Sequence, residues 1–140
     1  MKLIIINGVN LNLTGTREID IYGKINFDEY IINISRKFQN HIIEYYQSNI
    51  EGEIVNKLHQ VGFTYDGIIL NPGAYSHYSI AIADAVKAIK TKVIEVHLSN
   101  IFAREDFRKN SITAQYSIGS ILGLGLESYN LAINYFINLD

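Results

Sequence analysis

His97 closes an apolar run, Val93-Ile94-Glu95-Val96, and Glu95 stands two residues before it. In an extended strand, residues two apart share a face, so the carboxylate and the imidazole lie side by side. Such a carboxylate favours the charged imidazole and fixes its tautomer, as in catalytic dyads. The same residues also describe a core histidine at a strand end. His77, in Tyr75-Ser76-His77-Tyr78-Ser79, sits at a loop-to-helix junction, where it could donate to a ligand oxygen beside free helix amides or simply occupy the surface. Tyr22, in Asp20-Ile21-Tyr22-Gly23, follows Arg17 by five residues. Ionising a phenol of pKa about 10 costs roughly 4 kcal/mol at neutral pH, and a nearby guanidinium offsets part of that cost. The pair could therefore make a base, although loop tyrosines also serve packing. Asn10, Asn12, Asn71, Ser99 and Asn100 are neutral donors and acceptors that suit a polyhydroxylated ligand, and they are also ordinary turn residues. Arg108 could clamp a carboxylate bidentately or stand as a solvated loop charge. His41 and His59 have no polar cluster beside them and read as structural.

These residues follow short apolar runs. Leu3-Ile4-Ile5-Ile6 precedes Asn7-Gly8-Val9-Asn10, Gly67-Ile68-Ile69-Leu70 precedes Asn71-Pro72-Gly73, and Val93-Ile94-Glu95-Val96 precedes His97-Leu98-Ser99-Asn100. Such runs read as strands buried on both faces. Further strands are expected at Ile42 to Gln47 and near Tyr116 to Leu122. Helices are expected from Asn26, with Glu29 three residues on, from Glu51 to Val61 with Gly62 as a stop, from Ser79 to Ile89, and from Glu127 to about Leu139. Alternation of strand and helix implies a parallel sheet covered on both faces. The expected architecture is a flavodoxin-like α/β three-layer sandwich, with five strands in the order 2-1-3-4-5. Ligands in such sheets sit beyond the carboxyl ends of the strands, where the three polar bursts would meet. The long segment after the first strand, about residues 11–24, is placed as an active-site lid on a single domain of residues 1–140.

Bulk properties narrow the field. The chain has 140 residues, 48% hydrophobic and 19% charged, a globular rather than a disordered balance. A net charge of -2 provides no electrostatic footprint for nucleic acid. No apolar stretch approaches a bilayer span. Met1-Lys2-Leu3 leads directly into a strand without a cleavage site, which argues against a signal peptide. The absence of cysteine removes disulfides, thiol nucleophiles and thiolate metal sites. The expected setting is the cytoplasm. Neither dinucleotide nor nucleoside triphosphate loops occur, and no metal-ligand spacing is evident, so no cofactor or metal is expected. A flavodoxin-like binding module and a catalytically dead homologue are the rival readings.

The segments taken together resemble the type II 3-dehydroquinate dehydratases along nearly the whole chain. The blocks are Asn7-Gly8-Val9-Asn10-Leu11-Asn12-Leu13, Gly15-Thr16-Arg17-Glu18, Ile21-Tyr22-Gly23, Gln47-Ser48-Asn49-Ile50-Glu51-Gly52-Glu53, Asn71-Pro72-Gly73-Ala74-Tyr75-Ser76-His77, Glu95-Val96-His97-Leu98-Ser99-Asn100, Ala103-Arg104-Glu105-Asp106-Phe107-Arg108 and Gly123-Leu124-Gly125. The resemblance implies a flavodoxin-like fold and conversion of 3-dehydroquinate to 3-dehydroshikimate and water through an enolate. The setting is the shikimate pathway to aromatic amino acids or, alternatively, quinate breakdown. It implies Tyr22 as the base, Arg17 as the group that lowers its pKa, His97 as the general acid held by Glu95, and Asn10 beside a water that steadies the enolate. Asn71, His77, Leu98, Ser99 and Arg108 match substrate contacts, and Asp84 matches a residue that reaches a neighbouring subunit's site. It also implies trimers, usually grouped into dodecamers. The family commonly has proline at the position of Val9, and often leucine at Thr14 and histidine at Phe102.

Overall fold

The computed structural model describes residues 1–16, 20 and 24–139. The strands are β1 (Lys2–Asn7), β2 (Ile42–Gln47), β3 (Gly67–Asn71), β4 (Val93–His97) and β5 (Gly119–Leu122). Among the described residues the α-helices are α1 (Phe27–Lys37), α2 (Glu51–Val61), α3 (Ile80–Ala88) and α4 (Glu127–Ile137). The strands form one sheet in the order β2-β1-β3-β4-β5, and every pairing is parallel. This is the architecture expected from the alternating pattern.

Each central strand divides its side chains between two cores. Leu3, Ile5, Ile69, Ile94 and Val96 pack with Phe27, Tyr30 and Ile34 of α1 and with Tyr129, Ile133 and Phe136 of α4. Ile4, Ile6, Ile68, Leu70 and Val93 pack with Ile54 and Leu58 of α2 and with Ile82 and Val86 of α3. Burial of each such side chain is worth roughly 1.5–3 kcal/mol, which is why runs without alternation form the sheet centre. The same parity assigns the polar strand ends. Asn7 and Asn71 continue the face that carries Ile5 and Ile69, whereas Glu95 and His97 continue the opposite face that carries Val93.

The element boundaries differ from the sequence expectation where capping decides them. Asn26 caps α1 as expected, its Oδ1 accepting from the Glu29 amide at 2.9 Å. Ser79, expected inside a helix, is instead the N-cap of α3, and its Oγ accepts from the Ile82 amide at 3.0 Å. A 3-10 turn over Gly73–His77 leads into it. Asn71 and His97 are the last residues of their strands rather than the first of loops. β5 is shorter than the expected Tyr116 to Leu122, because Tyr116 closes a separate 3-10 turn, Ala114–Tyr116. The chain first reaches Glu95 of β4 through Ser111 and Thr113, and strand pairing begins only at Gly119, opposite Ile94. No helix among the described residues is long and apolar enough to cross a membrane.

Candidate active site

Three strand ends converge because their loops interlock at the backbone. The Gly8 amide donates to the Asn71 carbonyl at 2.7 Å. A Cβ on Gly8 would lie 2.3 Å from the Pro72 carbonyl oxygen, so no larger residue fits there without movement. Gly73 adopts φ +63 against Val9, a conformation glycine takes without steric penalty. Asn10 follows in the left-handed region, φ 67, which asparagine tolerates better than most residues. Its amide donates to Asn49 Oδ1 at 2.8 Å, and Gln47 Nε2 donates to the Gly8 carbonyl at 3.2 Å. The segment after β2 thus steadies the turn that carries Asn10.

The acidic and basic members of β4 are paired as their spacing predicts. His97 Nε2 donates to Glu95 Oε2 at 2.8 Å, with both side chains almost wholly enclosed. Glu95 is 0% exposed. Its carboxylate also accepts from Ser111 Oγ at 2.6 Å and from the Thr113 hydroxyl. A buried carboxylate needs such donors to remain ionised. With Nε2 committed to Glu95, Nδ1 is the nitrogen of His97 that can exchange a proton with a ligand. The amides of Gly123 and Gly125 donate to the carbonyls of His97 and Leu98 at 3.2 and 2.9 Å, anchoring that backbone.

His77 lies beside this pair, its ring centroid 6.3 Å from that of His97 and tilted by 25°. Its Nδ1 donates to the Asn110 carbonyl at 2.7 Å. Burial lowers its pKa below the ordinary imidazole value, and the nearby His97 and Arg108 act in the same direction, against the opposing pull of the Asn110 carbonyl and Glu95. His77 is therefore neutral at pH 7, with Nε2 as an acceptor. Arg108 gives its Nε to Glu105 at 2.8 Å and keeps two Nη groups to offer a ligand. Arg104 Nη1 donates to Ser99 Oγ at 3.5 Å. Asn71 is held from behind: its Nδ2 donates to the Tyr129 hydroxyl at 2.8 Å, and that hydroxyl donates to Asn7 Oδ1 at 2.8 Å. Burial raises the Tyr129 pKa, which keeps the phenol neutral.

One cleft gathers these groups. Asn10, Asn71, His77, His97, Leu98, Ser99 and Arg108 all line it, and Glu95 sits behind His97. Asp84 does not line it and lies exposed on α3. Arg17 and Tyr22 lie outside the described residues. Asn12 and Asn100 are not in the wall; Asn100 caps a 3-10 turn instead, its Oδ1 accepting from the Phe102 amide. Ser111, Thr113 and Tyr129 escaped the sequence reading. The two hydroxyls lie 16 and 18 residues beyond Glu95, and Tyr129 reads as one more apolar position of an amphipathic helix. Among the described residues, no group of three or more His, Asp or Glu is placed to hold a metal ion.

The fold and cleft define a flavodoxin-like α/β protein that presents an imidazole–carboxylate pair and arginines at its strand ends. The sequence pattern of the family described as Dehydroquinase class II matches residues 1–137. The chain is 53% identical, over 95% of its length and 93% of the relative's, to a 3-dehydroquinate dehydratase of Clostridium beijerinckii. It is 50% identical, over 94% of its length and 93% of the relative's, to one of Caldicellulosiruptor bescii. The crystal structure of a type II dehydroquinase from Butyrivibrio crossotus superposes with a TM-score of 0.93 at 46% identity, covering 99% of this chain and 98% of that one. The chain belongs to the class II dehydroquinase family.

Proposed function

We propose that this protein is a hydro-lyase that converts 3-dehydroquinate to 3-dehydroshikimate and water in the shikimate pathway. The observation that carries the reading is the His97–Glu95 pair at the head of a cleft lined by Asn10, Asn71, His77, Ser99 and Arg108, in a chain with this family membership. The C2 proton of the substrate is acidic because the adjacent ketone accepts the charge as an enolate. Tyr22, made basic by Arg17, removes that proton. The enolate then collapses as the C1 hydroxyl departs, and His97 delivers the proton that turns it into water. Glu95 stabilises the imidazolium before the transfer and holds its ring in place. Asn10 orders a water at the enolate oxygen, where charge develops.

Recognition follows from the wall chemistry. Arg108 takes the substrate carboxylate, and Asn71, His77 and Ser99 take hydroxyls. Leu98 offers its backbone amide. Asp84 projects to a neighbouring subunit's cleft within a homotrimer, and trimers group into a dodecamer. Residues 1–140 act as one domain, and residues 11–24 serve as its lid. The protein works in the cytoplasm without a metal, a cofactor, a nucleic acid or a membrane.

The decisive experiment mixes purified protein with 3-dehydroquinate and follows the ultraviolet absorbance of the conjugated enone product. A steady rise that is abolished in His97→Asn is the expected result. Folded protein that produces no rise overturns the reading.

A further inference from the structure

We propose that the segment Asn110–Thr113 is a positioning strap that sets where the protons sit on both cleft imidazoles. The proposal rests on the reading of His97 as the proton donor. The segment touches the two histidines by separate routes. Its backbone carbonyl at Asn110 accepts from His77 Nδ1 at 2.7 Å, and the Ile112 amide donates to the Ser76 carbonyl at 2.8 Å, fastening the strap to the turn that bears His77. Its hydroxyls at Ser111 and Thr113 both donate to Glu95, the only partner of His97 Nε2 among the described residues. Ser111 Oγ also accepts from the Ala114 amide at 3.2 Å, so the strap holds its own curvature.

The choice of hydroxyls has a consequence for acid strength. Two neutral donors stabilise the Glu95 anion without introducing another group that titrates in the same range. With the anion so stabilised, the His97–Glu95 pair holds its shared proton less tightly and releases it more readily to a leaving hydroxyl. Removing the hydroxyls leaves a buried carboxylate with one partner, and the pair then binds its proton more tightly. The charged and titratable groups facing the pair are His77 from the Gly73–His77 turn and Arg104 and Arg108 across the cleft, with Lys109 lining the recess behind Glu95. β5 and the turn before it contribute Ser120, Leu122 and Ala114 to that recess, none of which titrates. On the other side, the Asn110 carbonyl selects the Nδ1–H tautomer of His77 and leaves its Nε2 as an acceptor.

The test uses Ser111→Ala, Thr113→Val, their double variant and the conservative Thr113→Ser in the full chain. Two quantities are read: kcat and KM for 3-dehydroquinate against pH, and the titration of His97 by NMR of histidine-labelled free protein. In the double variant kcat falls roughly tenfold while KM stays within about threefold, and the alkaline limb moves to higher pH. The His97 midpoint moves in the same direction, and Thr113→Ser restores both. Ser111→Ala alone carries the test should Thr113→Val not fold. A folded double variant whose His97 titration matches the parent overturns the strap, whatever its activity. A shifted titration in a protein whose parent does not act on 3-dehydroquinate upholds the strap and overturns the functional reading instead.

Discussion

At the scale of single residues, a buried carboxylate and its few partners give the proposed chemistry its sharpest tests. Glu95 is enclosed and accepts from three side chains. Glu95→Gln keeps the shape but removes the anion that favours imidazolium. The expected result is a kcat about 10²–10⁴-fold lower, with the alkaline limb of the pH profile moved to lower pH, the direction opposite to loss of the hydroxyl donors. Tyr129→Phe removes a hydroxyl that serves Asn71 and Asn7 at once. Leaving those buried amides short of a partner costs about 1–3 kcal/mol, readable as a lower midpoint in urea unfolding. His77 carries a pH signature of its own. Burial depresses its pKa in the folded state, so the unfolded chain binds the proton more readily. Its contribution to stability is complete above the ordinary imidazole range and is lost as pH falls between the ordinary and the depressed value. Thermal unfolding of the parent and His77→Gln at stepped pH should show the variant less sensitive to acid in that window.

At the scale of elements, the interlocked loops after β1 and β3 determine the floor of the cleft. Gly8→Ala places a methyl group into the Pro72 carbonyl. The expected cost is about 1–3 kcal/mol, accompanied by weaker ligand binding as Asn10 and Asn71 separate. Substrate KM and urea unfolding measure the two effects together. The strands and the polar bursts were legible in the sequence because three runs of buried aliphatic residues end in asparagine or histidine, and the strand order followed as the usual one for an α/β sheet of this size. Glu95 and His97 were legible as a pair because strand geometry alone places residues two apart together. Ser111 and Thr113 were not, since their contact with Glu95 depends on how the chain after Arg108 curls back over β4. Ser79 was misplaced by one residue because a serine beside isoleucines reads equally well as a first helical turn or as its cap. The length of β5 was overestimated for a related reason: Tyr116 and Ile118 look strand-like, yet the return path over β4 delays pairing until Gly119.

At the scale of the whole molecule, Asp84 provides the sharpest test of assembly. It sits on α3, exposed and away from its own chain's cleft. If it completes a neighbour's site, Asp84→Ala and His97→Asn chains are each nearly inactive alone. Co-assembled, they regain activity at sites that combine an intact His97 with a neighbour's intact Asp84, roughly a quarter of the sites under random mixing in a closed ring. Activity of mixed assemblies against sedimentation mass checks this, and no recovery in assemblies of verified mixed composition would remove Asp84 from the site. The two faces of the sheet have a last consequence. Asn7, Asn71 and Tyr129 belong to the side packed by α1 and α4, whereas Glu95, His97 and their hydroxyl donors belong to the other. The support of Asn71 and the support of the His97–Glu95 pair thus run through separate layers of the sandwich. A protein engineer can retune one from behind α4 and the other from behind β4, as two dials on a common panel.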